Sequence, residues 1–334
     1  MKKIYLITND KIWFSEKKYT SNNDLNNIIS CLNTNYELNL VCRKSKKKLN
    51  FSLNSRFKYF KFNQIKEKKI NIFLLSITPF NFFVLFYFLL IKRINFRGFV
   101  YLRSDGFLEY KYKYGLFGYY IYYLMFFLIK KKLKVLSCSK NFTNVNVTNV
   151  LHPSELDLIW LKESDVIQKC KTDFLYVGRF KKEKGSHYLV NIFQTFLKDY
   201  NLTIVGNDQK SIPSKFFSDN IKYENSITDV NKLIKVYDTS KIFILPSYTE
   251  GFPKVISEAL ARLKPVIIFE EINYIINGRE GIFVCKREKQ NLRKTIDLIL
   301  GDYDKIQKKI KQNFFYTKDN FKKELLISIE NDFK

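Results

Sequence analysis

Short apolar runs recur along the whole chain and alternate with longer stretches of mixed polarity and helical spacing. Residues 4–7, 38–41, 70–77, 99–102 and 135–137, then 174–177, 202–205, 242–245, 266–269 and 281–284, each predict a strand. Runs this short and continuous fit strands covered on both faces, and their alternation with helices predicts parallel sheets flanked by helices. The alternation pauses between residues 141 and 170, a polar segment containing His152-Pro153-Ser154. The pattern therefore predicts an α/β domain over 1–150, a linker over 151–170, a second α/β domain over 171–310, and an amphipathic helical segment over 311–334. Ligands of such domains bind beyond the carboxyl ends of the strands.

The longest apolar stretch, 70–91, approaches the length of a membrane span. Asn71, Ser76, Thr78, Pro79 and Asn81 interrupt it. A strand over 70–77, a cap at Thr78, Pro79 in the first turn and a helix over 80–92 account for every interruption, so no transmembrane helix is expected. At the start, Lys2 and Lys3 precede an apolar run of four residues, shorter than a secretory signal needs, and 4–7 reads as the first strand.

Composition changes this picture mainly through charge. A chain of 334 residues, 46% of them apolar, can bury two cores and is not a disordered polymer. Its net charge is +26, and residues 43–69 hold eleven Lys or Arg against one acid, Glu67. Such an excess suits a membrane surface, nucleic acid or an acidic glycan; the alternative is a Lys- and Asn-rich composition whose lysines are simply solvated. Cys31, Cys42, Cys138, Cys170 and Cys285 are scattered without metal-ligand spacing and read as reduced core thiols of a cytoplasmic protein.

Residues 246–261 carry the strongest candidate chemistry. The apolar run 242–245 leads into Pro246-Ser247-Tyr248-Thr249-Glu250-Gly251-Phe252-Pro253, and a helix is predicted over 254–263 with Pro253 as its first residue. The N-terminus of that helix suits an anion. Glu250 stands just before it, and Glu258 lies about a turn and a half inside. Earlier, Arg179 and Lys184 follow the strand 174–177 on a loop that enters a helix near Gly185. Two fixed cations at that point suit a diphosphate, although basic loop residues are commonly just solvated.

This arrangement resembles the retaining glycosyltransferases of family four (glycosyltransferase group 1), which have the GT-B fold. The resemblance rests on Glu250 and Glu258 in the E-x7-E loop, on Val177-Gly178-Arg179-Phe180 with Glu183-Lys184-Gly185, and on Leu202-Thr203-Ile204-Val205-Gly206. It covers residues 172–310 in order and spacing. It implies two Rossmann-like domains facing across a cleft, with the donor on the second and a final helix crossing back to the first. It also implies that Arg179, Lys184 and the backbone of Gly251 and Phe252 meet the donor phosphates. Glu258 would take the ribose hydroxyls, and Glu250 the sugar hydroxyls near the reacting carbon, a catalytic position. No metal or other cofactor is implied. Asp302-Tyr303-Asp304 resembles a metal motif of a different glycosyltransferase fold, but turn and N-cap duty explain both aspartates. Residues 223–226 are the place to look for contacts to the base.

The first domain departs from the family pattern. The family often has a histidine there, yet the chain's two histidines are His152 and His187, and Thr20-Ser21-Asn22-Asn23 stands where a glycine-rich acceptor loop is common. After strand 99–102 comes Arg103-Ser104-Asp105-Gly106, in which Asp105 is either a catalytic, acceptor-positioning carboxylate beside Arg103 or a turn residue closing the strand. Two aromatic helices, 80–91 and 118–129, end in Lys92-Arg93 and Lys130-Lys131-Lys132. Those cations complement a helix C-terminus, and aromatic-plus-basic segments also dock on anionic lipid. The expected function is transfer of a sugar from a nucleotide sugar to a saccharide acceptor with retained configuration. The acceptor would be lipid-linked or a surface polysaccharide, met by a peripheral protein on the cytoplasmic face of an anionic membrane, with no nucleic acid involved. The rival readings are a basic polyanion- or nucleic-acid-binding protein and a catalytically silent GT-B partner subunit.

Overall fold

The apolar runs become strands in two parallel sheets, each with its own core. The computed structural model describes residues 2–15, 18–49, 51–53, 56–154, 156–162, 171–206 and 212–330. It divides into a first unit, Met1–His152 with Asp319–Lys334, and a second, Pro153–Lys318. Cys170 and the 163–170 part of the expected linker lie outside the described residues, whereas Cys31, Cys42, Cys138 and Cys285 are buried.

In the first unit the strands are β1 (Lys2–Ser15), β2 (Lys18–Ser21), β3 (Tyr36–Lys44), β4 (Phe51–Ser52), β5 (Phe57–Tyr59), β6 (Lys69–Leu75), β7 (Asn95–Leu102), β8 (Lys134–Ser137) and β9 (Asn149–Val150). The helices are α1 (Asn23–Leu32), α2 (Pro79–Leu90) and α3 (Gly106–Lys130). Parallel pairing runs β5-β3-β1-β6-β7-β8-β9, while β2 and β4 add antiparallel pairing along the far end of β1. The chain leaves β1 first toward β3 and β5, then returns to its other side with β6, so the order reverses between β1 and β6. Just there the β1–β3 register shifts between Ile7 and Lys11, which takes residues 8–10 off the ladder. The stretch 70–91 is β6 followed by α2, with Thr78 capping Asn81 N–H at 3.2 Å and Pro79 in the first turn. Among the described residues, no helix is long and apolar enough to cross a membrane.

Helix α3 is a hairpin. Gly115 sits at φ 65°, ψ −155°, outside helical space, and reverses the chain. As a result the Phe107 and Phe126 rings lie 5.5 Å apart, where a straight helix would hold them about 28 Å apart. The arms pack so closely that a Cβ on Gly118 would lie 2.3 Å from the Tyr110 carbonyl oxygen. The expected helix 118–129 is part of the second arm; the first arm, rich in Tyr and Lys, gave no clear apolar period.

The second unit contains α4 (Leu158–Leu161), β10 (Thr172–Val177), α5 (Ser186–Thr195), β11 (Leu202–Val205), β12 (Ile221–Glu224), α6 (Val230–Asp238), β13 (Ser240–Leu245), α7 (Lys254–Ala261), β14 (Val266–Phe269), β15 (Ile282–Cys285), α8 (Lys289–Gly301) and α9 (Tyr303–Ile310). Its sheet is parallel throughout, in the order β12-β11-β10-β13-β14-β15. That is the doubly wound 3-2-1-4-5-6 order, whose switch point falls between β10 and β13. Residues 153–162 belong to this unit rather than to a free linker: Leu156 and Trp160 are buried in its core. The last helix, α10 (Lys318–Glu330), buries Phe321, Leu325 and Ile329 and belongs from Asp319 onward to the first unit.

One buried ion pair ties the start of the second unit to its helices. Arg262 donates to both Asp238 carboxylate oxygens, at 2.7 and 3.0 Å, and to the carbonyls of Trp160 and Lys162 at 3.0 and 2.6 Å. Arg262→Leu strands a buried carboxylate and two carbonyls, at a cost of about 3–5 kcal/mol. We expect the unfolding midpoint assigned to this unit by calorimetry to fall by roughly 6–20 °C. An unchanged midpoint would show that the pair contributes no net stability.

Candidate functional site

The loops after β10 and β13 emerge side by side at the switch point of the second sheet, and they are knitted together. Gly185 sits at φ 68° between them, and a Cβ there would lie 1.8 Å from the Pro246 carbonyl oxygen, so only glycine allows this approach. Tyr248 N–H donates to the Glu183 carbonyl at 3.2 Å. The Lys184 ammonium donates to Glu250 Oε1 at 2.7 Å, and Ser247 Oγ donates to the same oxygen at 2.6 Å. Tyr274 fixes the backbone of Glu250 from both sides: its hydroxyl accepts from Glu250 N–H at 3.0 Å and donates to the Glu250 carbonyl at 2.6 Å. Arg287 donates to the carbonyls of Pro246 and Ser247 and to Glu271, with its guanidinium 4.0 Å from the Tyr248 ring centre.

Arg179 is exposed at the mouth of the first loop, while its carbonyl accepts from Tyr176 Oη at 3.0 Å. Burial first, and the Glu250 carboxylate second, raise the pKa of the Tyr176 hydroxyl and keep it a donor. Gly251 is buried and Phe252 half-buried, just before α7. Pro253 is the extended N-cap of α7 and not its first helical residue, and it supplies no side-chain cap. Arg279 stands 5.7 Å from the Phe252 ring and donates to Ser257 at 3.4 Å. Burial brings its pKa down to about 10, which leaves it charged at neutral pH.

Glu258 lies deeper, on the second turn of α7. It is 7% exposed and accepts from the buried Tyr237 hydroxyl at 2.8 Å. Burial, then the adjacent carboxylate, hold Tyr237 well above its ordinary pKa, so it stays a donor. Within β12, Tyr223 donates to the Phe216 carbonyl at 2.6 Å. His187 stacks on Phe216 with ring centres 4.8 Å apart and also packs 5.0 Å from Phe180. Burial, then Lys215 and Lys182, lower the His187 pKa and favour the neutral ring.

In the first unit the structure gives Asp105 a helix-capping place that neither of its two readings named. Its carboxylate accepts from Leu108 N–H at 3.1 Å and from Thr143 N–H and Oγ1, both at 2.9 Å, and the residue is 2% exposed. It is the N-cap of α3, with its oxygens committed to the fold. Arg103 turns elsewhere, to the switch point between β1 and β6. Its Nη2 lies 3.1 Å from Asp10 Oδ2, and its Nε donates to Ser76 Oγ at 3.2 Å. Thr8 Oγ1 also donates to Asp10, at 2.9 Å, and Ser76 has a left-handed φ of 62°. Asp10 gave no motif; its signal is its place at the end of the first apolar run, beside a register shift that no composition reveals. Thr20 and Ser21 end β2, and Asn22 caps α1 by accepting from Leu25 N–H at 2.8 Å. Asp302 occupies the junction of α8 and α9 without a side-chain cap and lies 3.4 Å from Lys305.

Residues 161–314 match the family model described as glycosyl transferases group 1. Among curated proteins, the chain is 31% identical over 137 residues to the capsular polysaccharide biosynthesis glycosyltransferase CapM of Staphylococcus aureus, covering 38% of this chain and 36% of that protein. It is 32% identical over 116 residues to the N,N'-diacetylbacillosaminyl-diphospho-undecaprenol alpha-1,3-N-acetylgalactosaminyltransferase of Campylobacter jejuni, covering 32% and 30%. The matches thus span about half the length, or less, of the curated relatives. Among solved structures, Anabaena Alr3699/HepE in complex with UDP aligns with a TM-score of 0.68 at 14% identity, over 99% of this chain and 100% of that one. With a doubly wound sheet in each unit and the two glutamates at the second switch point, the second unit matches the glycosyl transferases group 1 family over residues 161–314, and the chain has the GT-B fold.

Proposed function

We propose that the chain transfers a sugar from a nucleotide sugar to a saccharide acceptor, with retention of configuration and without a divalent metal. The observation that carries this reading is the pairing of Lys184 with Glu250 at 2.7 Å, on the loops that meet at the switch point of the second sheet. Arg179 and Lys184 would hold the donor diphosphate and stabilise the charge that grows on it as the glycosidic bond breaks. The Gly251 and Phe252 backbone would approach the same phosphates. Glu250, preset by Ser247, Tyr274 and Lys184, would take the sugar hydroxyls near the reacting carbon. Glu258, oriented by Tyr237, would take the ribose hydroxyls. On the acceptor side the reading moves from Asp105 to Asp10 with Arg103, the charged pair at the switch point of the first sheet. The capsular and undecaprenol-linked relatives favour a lipid-linked or surface-polysaccharide acceptor, presented at an anionic membrane surface.

Binding comes first. UDP, GDP, ADP and dTDP are each tested for thermal stabilisation; a ligand at a hundredfold excess over its Kd adds about 2.7 kcal/mol. No shift with any of them would count against the donor site and favour a silent scaffold. Lys184→Ala or Arg179→Ala removes a charge-assisted contact of about 1.5–3 kcal/mol, a tenfold to hundredfold loss in both diphosphate affinity and kcat/KM. Unchanged affinity in either variant would remove that residue from the phosphate clamp.

The glutamates separate by ligand. Glu250→Gln is expected to leave diphosphate affinity intact, because it also releases Lys184 from its ion pair, while kcat falls. Glu258→Ala is expected to weaken the nucleotide itself. Turnover that persists in saturating EDTA accords with cations and a helix end handling the phosphates; an absolute need for magnesium or manganese would contradict it. Asp10→Asn is expected to lower turnover with nucleotide affinity unchanged, and activity equal to wild type would leave the acceptor side without its carboxylate.

A further inference from the structure

The second arm of the α3 hairpin is apolar on two opposite faces, and the fold uses one of them. Gly118, Tyr122, Met125, Phe126 and Ile129 are buried against the first arm and the sheet. On the other side Phe117, Tyr120, Ile121, Leu124 and Leu128 are exposed, Phe117 at 72% and Tyr120 at 66%. Their spacing of three and four residues places all five within one stripe about 100° wide. A contiguous apolar stripe of this kind marks a surface that is covered in use.

Charge identifies the cover. From Tyr110 to Ser154 the sequence has seven lysines and no Asp or Glu. Lys130, Lys131, Lys132 and Lys134 line a cavity of about 860 Å³ at the foot of this arm, together with Asn144 and Asn146, and no carboxylate lines it. The Lys131 ammonium lies 4.2 Å from the centre of the Phe127 ring, beside the end of the stripe. A second copy of the chain laid on the stripe would bring lysines against lysines, whether the arms ran parallel or antiparallel, since Lys111 is near the hairpin tip. A surface that is apolar within and negative above satisfies both features. We propose that this arm lies in the plane of an anionic bilayer, stripe toward the acyl chains, with the lysine cavity at its foot holding lipid phosphate groups. Aromatic side chains settle at that depth, and each lysine near the surface adds to the attraction. The inference deepens the membrane-acceptor reading by naming the element that makes contact.

The test uses the full chain and vesicles of phosphatidylglycerol or of phosphatidylcholine, read by co-sedimentation. Wild type is expected to bind the former and, at low salt, to favour it strongly over the latter. F117S/I121S/L124S is expected to lose more than tenfold in binding to phosphatidylglycerol. K130Q/K131Q/K132Q is expected to lose about a hundredfold at low salt, and less as salt screens the wild type. Because the serine variant alters a hairpin, I121W provides a second reading: its emission should shift to the blue with phosphatidylglycerol vesicles. No vesicle binding by wild type, serine and wild-type proteins that bind alike, or an I121W spectrum unchanged by vesicles would each overturn the proposal. So would a wild-type dimer that the serine variant turns into a monomer, because a second copy would then cover the stripe. Nucleotide-induced stabilisation, measured on the same variants, reports separately on the donor reading and is expected to survive in all of them.

Discussion

The second unit depends on a single close approach, that of Gly185 to the Pro246 carbonyl. A parallel sheet leaves its loops at the switch point diverging, because the chain departs to opposite faces on either side of it. Here the divergence is halted by contact: a residue without a Cβ lets the basic loop lie on the backbone of the E-x7-E loop. Lys184 then reaches Glu250, and Tyr248 reaches the Glu183 carbonyl. The loops share one geometry, so Lys184 and Glu250 are set by the same contact. Tyr274 and Arg287 brace the outer side, so Glu250 is oriented before any ligand arrives. Under the proposed transfer, charge stabilisation that needs no rearrangement would be available at the moment the glycosidic bond breaks.

Five of the second sheet's six strands were legible because they read as unbroken apolar runs, and 202–205 and 266–269 match residue for residue; β12, with Lys222 exposed between Ile221 and Tyr223, gave no such run. Short edge elements such as β4, β5 and β9 were not legible, since two or three residues have no period. The motif glutamates and the basic loop could be named from the family resemblance that three ordered motifs carry. Their supports could not: Tyr274, Arg287 and Tyr237 lie 24, 37 and 13 residues from Glu250, and the tyrosines meet the glutamates, and Arg287 the Pro246 and Ser247 carbonyls, only through the fold. Tyrosines and arginines at arbitrary spacing give no local signal.

Asp105 shows how a local reading can fail next to a sound one. Strand 99–102 ends where expected, and Arg103 does face the switch point. Two residues on, the chain has already begun a helix, and four orphan N–H groups at a helix start demand an acceptor. Asp105 answers that demand and is closed off by Thr143. The carboxylate that pairs with Arg103 comes instead from Asp10, on the bulged end of β1. The parallel order β1-β6-β7 brings residues 10 and 103 together past the end of β6, so the partner of a charged residue after one strand can come from a strand two places away in the sheet.

The α3 hairpin poses a different difficulty. A helix that is apolar all round has almost no amphipathic signal, and sequence alone reads it as buried or membrane-spanning. The second arm is neither. Gly115 turns it back on the first arm, which satisfies one apolar face through Phe107, Tyr110 and their partners. At 15 residues, 116–130, the arm is too short to span a bilayer, which requires about 20. A two-faced apolar helix of that length leaves its remaining face to be covered in use. The lysines at its end then do two jobs at once: they complement the negative end of the helix dipole, and they stand where a negatively charged surface would meet the fold.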